Sequence, residues 1–554
     1  MNLLFALYGD FTSNSAIPLL LHARELVRLG HRCAVAIPSG LESAAAHGDA
    51  QVPTLLYRHV LADPAAVFAD GRPADVVHAW TPRENVRRFV TSYLVKHPTP
   101  WVIYLEDNEG WIARFALGLA GLHEDVLLQH TDEVISTWTP QALSNPLRYE
   151  SFIGLADAAV VIQDKLAVDV PPWVPCTTVM PGVDLELFSP RPADSALRQR
   201  YGVAANERVI VYPGGLNGFT RPGLEALCRA VGVISRHGTP CRLLRSGPVA
   251  LDFLDDLPPD VAAAVSDLGL LPRDEMPQLL ALSDVFVQPG KHDAFEDLRL
   301  PAKLPELLAM GRPVVLPETG IAHLLEDGVN AVFHRTGSPE ELAEKCLALF
   351  ADPQRARAIG EAGRRFAAAH FEPKAQAARL EGVYRAARDA FDPRLAATLW
   401  SSDASETPVP ALLARKLRLL AKSPRADVSP LEAHARCIEF GLERSRGLEI
   451  GMAVRDREIG TLKDEVKASG ERIATMSEAI AARDQAIADL AKRVDALSHT
   501  VADQGGRLTA LNAAINERER HIAALESSLS WRITHPLRAA GRIALRLRSR
   551  LRFR

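Results

Sequence analysis

Short apolar runs alternate with amphipathic helical segments along most of the first 390 residues. This alternation constrains the fold most, because strands that are separated by helices favour parallel pairing in βαβ units. The first series has strand segments at residues 3–7, 33–37, 76–78, 101–105 and 159–162, with a helix over residues 17–29. The second series has strand segments at residues 209–212, 242–244, 265–269, 285–288 and 314–316. We therefore predict an α/β fold with two doubly wound, Rossmann-like domains that face a cleft.

The domain boundaries follow from changes in this pattern. A chain of 554 residues is too long for a single hydrophobic core. Residues 1–180 form the first predicted domain and residues 181–391 the second, and the crossing between them is the segment 179–190, which Pro and Gly punctuate. Residues 392–448 are interrupted by several prolines, so they are predicted to be a linker with one or two helices.

A heptad pattern within residues 449–530 predicts a long coiled coil. From Ile459 to Leu529, apolar side chains recur at spacings of three and four, with Ile, Val or Leu at every a position and mostly Leu at d. This combination favours a parallel two-stranded coil and therefore a dimer. Four polar residues occupy d positions, namely Ser469, Arg483, Gln504 and Arg518. A lone amphipathic helix that packs on the rest of the chain is the alternative, although so narrow a stripe suits a partner helix better.

The last segment, residues 531–554, is strongly basic. It contains eight arginines and no acidic residue. Its apolar residues share a broad helical face: Ile533, Leu537, Ile543, Ala544, Leu547 and Leu551. Basic amphipathic helices of this kind bind anionic membrane surfaces. Two other interpretations stay open, a docking helix for an acidic protein partner and a solvated tail.

The sequence gives no sign of several other classes of site. Its six cysteines include no C-x-x-C pair, so reduced thiols of a cytosolic protein are expected. Because H-E-x-x-H, G-x-S-x-G, Walker A and G-x-G-x-x-G motifs are absent, no metal site or nucleophilic triad is predicted. A net charge of −4 gives no reason to expect a nucleic-acid partner. The first residues do not resemble a signal peptide, and no apolar run reaches the roughly 18 residues of a membrane span.

One candidate anion pocket lies after the strand segment 285–288. A helix is predicted to start at Pro301, because proline is tolerated in the first turn of a helix. The N-terminus of a helix carries free N–H groups and a partial positive charge. Arg299 and Lys303 add full charges there, and Glu306 lies on the first turns. This arrangement predicts a pocket for an anion that is attached to a hydroxylated group.

A second anion-binding segment is the glycine-rich stretch 213–223, which follows the strand segment 209–212. Glycines such as Gly214 and Gly215 let the backbone approach a phosphate, and Arg221 can pair with it. Because both segments lie at the same edge of the predicted second sheet, together they predict a diphosphate site.

Three phrases of the sequence, in order, resemble the retaining GT-B glycosyltransferases of family 4 over roughly residues 1–390. They are the interdomain phrase at 179–190, the phrase LGLLPRDEMPQLLALSDVFVQP at 268–289, and LPELLAMGRPV at 304–314. The resemblance implies a GT-B fold in which residues 181–391 hold a nucleotide-sugar donor and residues 1–180 the acceptor. The sequence requires no metal, and no cofactor is expected, since the nucleotide-sugar donor is a substrate. Anomeric retention in the family is explained by front-face attack, with the leaving phosphate helping to deprotonate the acceptor.

The resemblance assigns roles to donor-side residues. Glu306 matches the second glutamate of the family's E-x7-E pair, which is expected near the nucleotide ribose. Leu298 stands where the first glutamate is expected, so either Glu296 or Asp297 takes that role or the role is lost. Arg299 remains a candidate for binding the donor.

Two further departures concern charge and glycine positions. Arg221 resembles the basic residue that meets the donor diphosphate, whereas Gly215 stands where the family has its first basic residue. We hypothesise that Lys303 restores the missing positive charge. The usual N-terminal pair of glycines is replaced by residues 13–15, Ser-Asn-Ser. Arg221 and Lys303 are accordingly candidate catalytic residues.

The candidate acceptor-side residues follow the strand segment 101–105. Glu106 and Asp107 are placed at the cleft, where a carboxylate orients an acceptor hydroxyl. Capping of the next helix by Asp107 or Asn108 is the alternative. His78, which ends another strand segment, is expected to be structural.

These observations favour a cytoplasmic glycosyltransferase that is peripheral on the inner face of the membrane and builds a surface polysaccharide or a lipid-linked glycan. Its expected partners are the nucleotide-sugar donor, the acceptor, a second copy through the coil, and either an anionic membrane or a synthase. Two alternatives stay open: a non-catalytic GT-B scaffold for a glycan-assembly complex, and a GT-B sugar-nucleotide epimerase.

Overall fold

Two parallel β-sheets with helices on both faces build the larger of two units, which cover residues Met1–Leu442 and Glu443–Arg554. The computed structural model describes residues 1–118, 132–215, 220–248, 254, 257–293, 295–421, 483–485, 487–528, 534, 538–543 and 545–546. The predicted α/β fold with two Rossmann-like domains is confirmed.

The first sheet has seven strands in the order β3-β2-β1-β4-β5-β6-β7. The strands are β1 (Asn2–Leu7), β2 (Arg32–Ile37), β3 (Thr54–Leu56), β4 (Val76–Trp80), β5 (Trp101–Leu105), β6 (Ala158–Val161) and β7 (Cys176–Thr178). Phe5 of β1 lies between Val35 of β2 and His78 of β4, so the first strand is central. All five predicted strands are present. The two three-residue edge strands, β3 and β7, are too short to produce a periodic signal.

Seven helices belong to this domain in the described part of the chain. They are α1 (Ala16–Arg28), α2 (Glu42–His47), α3 (Tyr57–Ala62), α4 (Glu84–Lys96), α5 (Glu109–Ala116), α6 (Asp132–Trp138) and α7 (Tyr149–Leu155). Gly30 follows α1 with a φ of 88°, a left-handed conformation that glycine adopts without strain, and so ends the predicted helix at the expected place.

The second sheet has six strands in the order β10-β9-β8-β11-β12-β13. They are β8 (Arg208–Pro213), β9 (Cys241–Ser246), β10 (Val265–Asp267), β11 (Val285–Val287), β12 (Val314–Pro317) and β13 (Val332–His334). The helices are α8 (Ser195–Arg200), α9 (Arg221–Arg236), α10 (Pro259–Ala262), α11 (Met276–Ala281), α12 (Leu304–Ala309), α13 (Pro339–Ala351) and α14 (Pro353–His370). The central strands are buried on both faces, which explains their continuous apolar runs.

The chain then returns to the first domain through α15 (Pro373–Ala390), α16 (Pro393–Leu399) and α17 (Val409–Ala421). On α15, the Tyr384 hydroxyl lies 2.7 Å from His78 Nδ1. On α17, Lys416 Nζ donates to the carbonyl oxygens of Leu155 and Ala156 at 2.8 and 2.7 Å. The described part of the segment predicted to be a linker, up to residue 421, therefore contains two helices that pack on the first domain. Its remainder lies outside the described residues.

The second unit contains a long helix, α18, over residues 487–527. The predicted heptad positions before residue 483 and Leu529 lie outside the described residues, as does most of the basic segment 531–554. Among the described residues, no helix is both long and apolar enough to span a membrane. The five cysteines in that part of the chain are free thiols, four buried and one exposed, and Cys437 lies outside it.

Candidate functional site

A buried carboxyl group lies at the carboxyl end of the first sheet. Glu106 directly follows β5, and its two oxygens accept hydrogen bonds from the hydroxyl of Ser15 and, at 2.7 Å, from Trp80 Nε1. Burial raises the pKa of Glu106 to about 7 against the lowering effect of these two hydrogen bonds. Ser15 belongs to the segment 13–15, where the resemblance led us to expect a pair of glycines, and it supplies a partner for the carboxyl group. Near neutral pH, Glu106 is poised between its two protonation states.

Asp107 adds a second carboxyl group beside Glu106. Burial raises its pKa to about 6, and the guanidinium of Arg299, which comes from the second domain, opposes that effect. Asn108, rather than Asp107, caps α5, since its side chain accepts from Trp111 N at 2.9 Å. The capping alternative therefore applies to Asn108, while Asp107 faces positive charge from across the cleft.

Glycines allow two loops of the second domain to come into contact at the end of its sheet. Gly214 N donates to the carbonyl oxygen of Ser246 at 2.7 Å. Gly247 has a φ of 152°, and a Cβ there would lie 2.4 Å from the Gly214 oxygen. A Cβ on Gly214 would lie 2.9 Å from Lys303 Nζ, whereas Gly215 is less crowded. A side chain at position 247 would therefore collide with backbone, whereas one at position 214 would displace the end of the Lys303 side chain.

Replacing Gly247 by alanine is expected to lower the free energy of unfolding by about 2–4 kcal/mol, because the methyl group collides with backbone and the conformation is strained. Gly238→Ala is the matched control, since Gly238 also has a positive φ (84°) but no atom within 4 Å of the added Cβ. Denaturant unfolding of both variants checks this. If both variants lost the same free energy of unfolding, the added methyl group at position 247 would not collide with the Gly214 backbone.

Lys303 places its amine against the loop that contains Gly214. Its Nζ lies 3.4 Å from the centroid of the Tyr212 ring. Burial, together with the nearby charge of Arg299, lowers the pKa of Lys303 well below its usual value. Among the described residues, no carboxylate lies within ion-pair distance of this amine. A bound anion would supply the missing counter-charge.

The helix that follows is shorter than predicted. It begins at Leu304 and not at Pro301, with Lys303 as its N-cap residue and Pro305 in its first turn. Because α12 has only six residues, the positive charge at this place comes mainly from side chains. The predicted anion pocket therefore depends on Lys303 more than on a helix dipole.

Leu298 stands where a glutamate is expected, and Glu296 and Asp297 are the two candidates for its role. The structure gives these two acids different partners. Glu296 is buried and pairs with Arg299 at 2.8 Å, and burial raises its pKa while Arg299 and Lys303 oppose this. Asp297 pairs with Lys165 at 2.6 Å and accepts from Thr319 Oγ1 at 2.9 Å. Glu296 is therefore the acid that shares a cluster with Lys303.

The other two predicted donor-side residues have partners. Glu306 pairs with Arg273 at 2.6 Å, and the Arg273 guanidinium lies 5.1 Å from the ring of Phe188. Burial raises the pKa of Glu306, and Arg273 opposes the rise. Arg221 begins α9 and pairs with Glu225 at 2.8 Å. Residues 216–219 of the intervening loop lie outside the described residues.

Arg245, at the end of β9, is a site residue that the sequence did not reveal. It is fully buried, pairs with Asp267 at 2.6 Å, and donates to the carbonyl oxygens of Gly214, at 3.3 Å, and Pro248. These hydrogen bonds fix the position of the loop that contains Gly214 and of the loop that follows β9. Its position in the sequence could have identified it, because Arg245 lies at the end of an apolar strand. The carboxyl ends of parallel strands are where ligand-binding groups commonly lie.

The two domains meet at the segment that contains Glu296. The ring of Phe295 stacks on Trp111 of α5 with centroids 4.4 Å apart. Asp297 binds Lys165 of the first domain, and His323 Nε2 lies 2.8 Å from the Asp164 carboxylate. These contacts hold the donor-side cluster close to Asp107.

Among the described residues, no group of three or more His, Cys, Asp or Glu side chains is arranged to hold a metal ion.

Residues 207–352 match the family model "Glycosyl transferases group 1". This part of the chain is therefore similar to a glycosyltransferase group 1 domain. It spans β8 to the last turn of α13, and so includes Gly214, Arg245, Lys303 and Glu306.

Similar curated proteins are glycosyltransferases. The chain is 26% identical over 316 residues to the D-inositol 3-phosphate glycosyltransferase of Thermobispora bispora, covering 53% of this chain and 70% of that protein. It is 31% identical over 219 residues to the GDP-mannose-dependent alpha-(1-6)-phosphatidylinositol monomannoside mannosyltransferase of Mycolicibacterium smegmatis. This second match covers 38% of the chain and 56% of the relative, little more than half its length.

Similar solved structures share the fold. HepE of Anabaena in complex with UDP-glucose has a TM-score of 0.53 and 16% identity, over 70% of this chain and all of the other. Sucrose-phosphate synthase from Thermosynechococcus elongatus has a TM-score of 0.51 and 14% identity, over 71% of this chain and all of the other. The first unit therefore has the GT-B fold, as the sequence predicted.

Proposed function

We propose that this protein is a glycosyltransferase that moves a sugar, with retention, from a nucleotide-sugar donor to a hydroxyl group of a glycan or lipid-linked acceptor. The observation that carries the proposal is the Lys303 amine, which lies against the Gly214 loop without a carboxylate partner in the described chain. The similarity of residues 207–352 to group 1 glycosyltransferases supports the same conclusion.

In the proposed reaction, the bond between the anomeric carbon and the diphosphate breaks, and the acceptor oxygen forms a new bond to that carbon. The acceptor proton passes to an oxygen of the leaving diphosphate, so no further reactant is needed. Such a transfer depends on positive charge at the leaving group more than on a strong base. The bound diphosphate favours the charged form of Lys303, which then supplies this charge. Arg245 supports the loop that holds the phosphates.

On the donor side, Glu296 replaces the glutamate that is missing at Leu298. It lies in the same cluster as Lys303 and Arg299. Glu306 binds the ribose of the donor, and its ion pair with Arg273 fixes the carboxylate for this contact. Arg221 exchanges its partner Glu225 for the diphosphate when the donor binds.

On the acceptor side, Glu106 accepts a hydrogen bond from the attacking hydroxyl group in its ionised form. Its bonds to Ser15 and Trp80 fix the orientation of the carboxylate, which lowers the entropic cost of positioning the acceptor. Asp107 stands beside it, under the influence of Arg299.

The experiment that tests this function is a transfer assay with the full chain, bacterial membrane extract and radiolabelled GDP-mannose, UDP-glucose and UDP-N-acetylglucosamine in separate reactions. We expect one donor to release its nucleoside diphosphate and label the extract. A double variant, Lys303→Ala with Glu106→Gln, serves as the inactive control. Donor turnover without acceptor labelling and with a changed sugar would favour an epimerase. No turnover of any donor by a correctly folded protein would favour the non-catalytic scaffold.

We further propose that the acceptor lies at an anionic membrane and that the product is a surface polysaccharide or lipid-linked glycan. The similar Mycolicibacterium smegmatis mannosyltransferase acts on a phosphatidylinositol mannoside, as its name states. The eight arginines of residues 531–554 provide attraction to anionic headgroups.

Removal of residues 531–554 is expected to abolish binding to vesicles that contain a third phosphatidylglycerol, because each arginine near such a surface contributes about 1 kcal/mol. Co-sedimentation with these vesicles, and with pure phosphatidylcholine vesicles as the neutral control, measures the effect. Unchanged sedimentation of the truncated chain with anionic vesicles would contradict membrane binding by the tail and favour a protein partner or a solvated segment.

A further inference from the structure

Helix α18 presents an apolar stripe that no described part of the chain covers. Its ten apolar side chains at a and d positions are between 50% and 66% exposed: Ile487, Leu490, Val494, Leu497, Val501, Leu508, Leu511, Ile515, Ile522 and Leu525. At 1.5 Å per residue, the stripe extends over about 60 Å. An apolar surface of this length favours association, because burial removes it from water.

Two charged pairs interrupt the stripe in the same way. Arg483 and Arg518 occupy d positions, and each is followed at the e position by an acid, Asp484 and Glu519 respectively. Consecutive residues on a helix do not face each other, so these pairs do not form within one helix. In the described part of this unit, the ion pairs are Lys492–Asp489 and Arg507–Asp503, and none of the four residues takes part.

We infer that a second copy of this chain covers the stripe, as a parallel coiled coil in register. In such a pair, the hole that receives a d side chain is formed in part by the d and e residues of the facing helix. Arg518 then meets Glu519 of the second copy, and the reciprocal pair forms by symmetry. The same geometry joins Arg483 to Asp484 of the second copy. Each arginine that weakens the apolar seam thus gains an acidic partner.

The direction of the two helices follows from the apolar residues of the heptads together with the charged pairs. Positions 483 and 518 lie on the order of 50 Å apart along the helix. An antiparallel pair with its two-fold axis near residue 501 would place Arg483 near Glu519 and Arg518 near Asp484 of the second copy, so these charges alone are compatible with either direction. The Ile and Val side chains at a positions, with Leu at most of the apolar d positions, favour the parallel direction. The parallel arrangement satisfies both positions, and it makes both chains enter the coil at the same end.

Charge reversal in the full-length protein tests the inference. Arg518→Glu and Glu519→Arg are each expected to weaken the dimer on the order of tenfold or more, because two attractive pairs become repulsive. An equimolar mixture of the two variants is expected to form heterodimers preferentially, since both interchain contacts are again attractive. Sedimentation velocity, with one variant fluorescently labelled, measures both effects. The double variant R518E/E519R is expected to dimerise like the parent.

The controls separate the seam from the rest of the helix. Arg520→Glu makes the same charge change at an f position on the outer face and is expected to leave dimerisation unchanged. Leu511→Glu is expected to produce monomers, whereas Ala513→Glu, two residues away at an f position, is not. A monomeric parent at micromolar concentration, or a trimer or tetramer, would overturn the inference. Failure of the mixture to favour heterodimers would exclude the parallel register.

Discussion

Replacement of Lys303 by alanine is expected to reduce kcat for sugar transfer by about 10²–10³, the loss that follows removal of one charge-stabilising donor from an active site. The reason is the position of Nζ, which lies against the Gly214 loop and above the Tyr212 ring, beyond ion-pair distance of any carboxylate in the described chain. Because negative charge develops on the leaving diphosphate, we expect the substitution to lower kcat more than it lowers the affinity for the acceptor. Steady-state kinetics with varied donor concentration measures it.

Lys291→Ala is the matched control for this prediction. Lys291 precedes the same segment, is 74% exposed, and pairs only loosely with Asp293 at 3.8 Å. It is expected to retain the activity of the parent. Unchanged turnover of the Lys303→Ala protein would show that another cation meets the diphosphate, and Arg221 and Arg299 would be the residues to replace next.

Replacement of Glu106 by glutamine is expected to lower kcat/KM at pH 8 by about tenfold to hundredfold, the value of one hydrogen bond to a charged group. Glutamine keeps the size of the side chain and can keep the contacts with Ser15 and Trp80, so the change removes mainly the charge. Below pH 7 the difference is expected to shrink, because the carboxyl group of the parent is then protonated. A pH profile of kcat/KM for both proteins checks this.

The same group links stability to pH. Since burial raises the pKa of Glu106 to about 7, the folded protein holds this proton more tightly than the unfolded chain does. The contribution of Glu106 to the free energy of unfolding is therefore fully present at acidic pH and is lost as the pH rises towards and through 7. Relative to the parent, Glu106→Gln should gain thermal stability between pH 5 and pH 8.

Glu42→Gln provides a control for both measurements, because Glu42 is an exposed residue in the first turn of α2. It is expected to change neither the pH profile nor the melting temperature by a measurable amount. Two results would contradict the role of Glu106 in positioning the acceptor. One is a pH profile of the parent in which kcat/KM does not rise near pH 7, and the other is full activity of the Glu106→Gln protein.

The strands of the fold could be predicted because their signal is local. Continuous apolar runs such as those that became β1, β5 and β8 identify strands buried on both faces of a parallel sheet. The three-residue strands β3, β7 and β13 were missed. β10 and β11 are equally short but were predicted as parts of the longer segments 265–269 and 285–288. The start of α12 was misplaced by three residues because a proline in the first turn is allowed at either place.

The candidate site was predictable only as a set of segments. Gly214 follows β8 and Lys303 follows β11, so both come after the carboxyl ends of parallel strands at one sheet edge, and the structure brings them together. The partners of the charged residues could not be deduced in this way. Glu296 and Asp297 are neighbours in sequence, yet one pairs with Arg299 and the other with Lys165, which is 132 residues away. Arg245 escaped notice because its partners, Gly214 and Asp267, belong to two other segments.

The sequence by itself determined the order of the elements, the two parallel sheets, the loops that carry the site and the heptad stripe, because each depends on residues that are close along the chain. The tertiary structure decided which charges neutralise one another and which stay available. It enclosed Glu106 between Ser15 and Trp80, kept Lys303 without a carboxylate partner in the described chain, and returned α15 to His78. These outcomes depend on burial and on contacts between distant segments, and both exist only once the two sheets have packed.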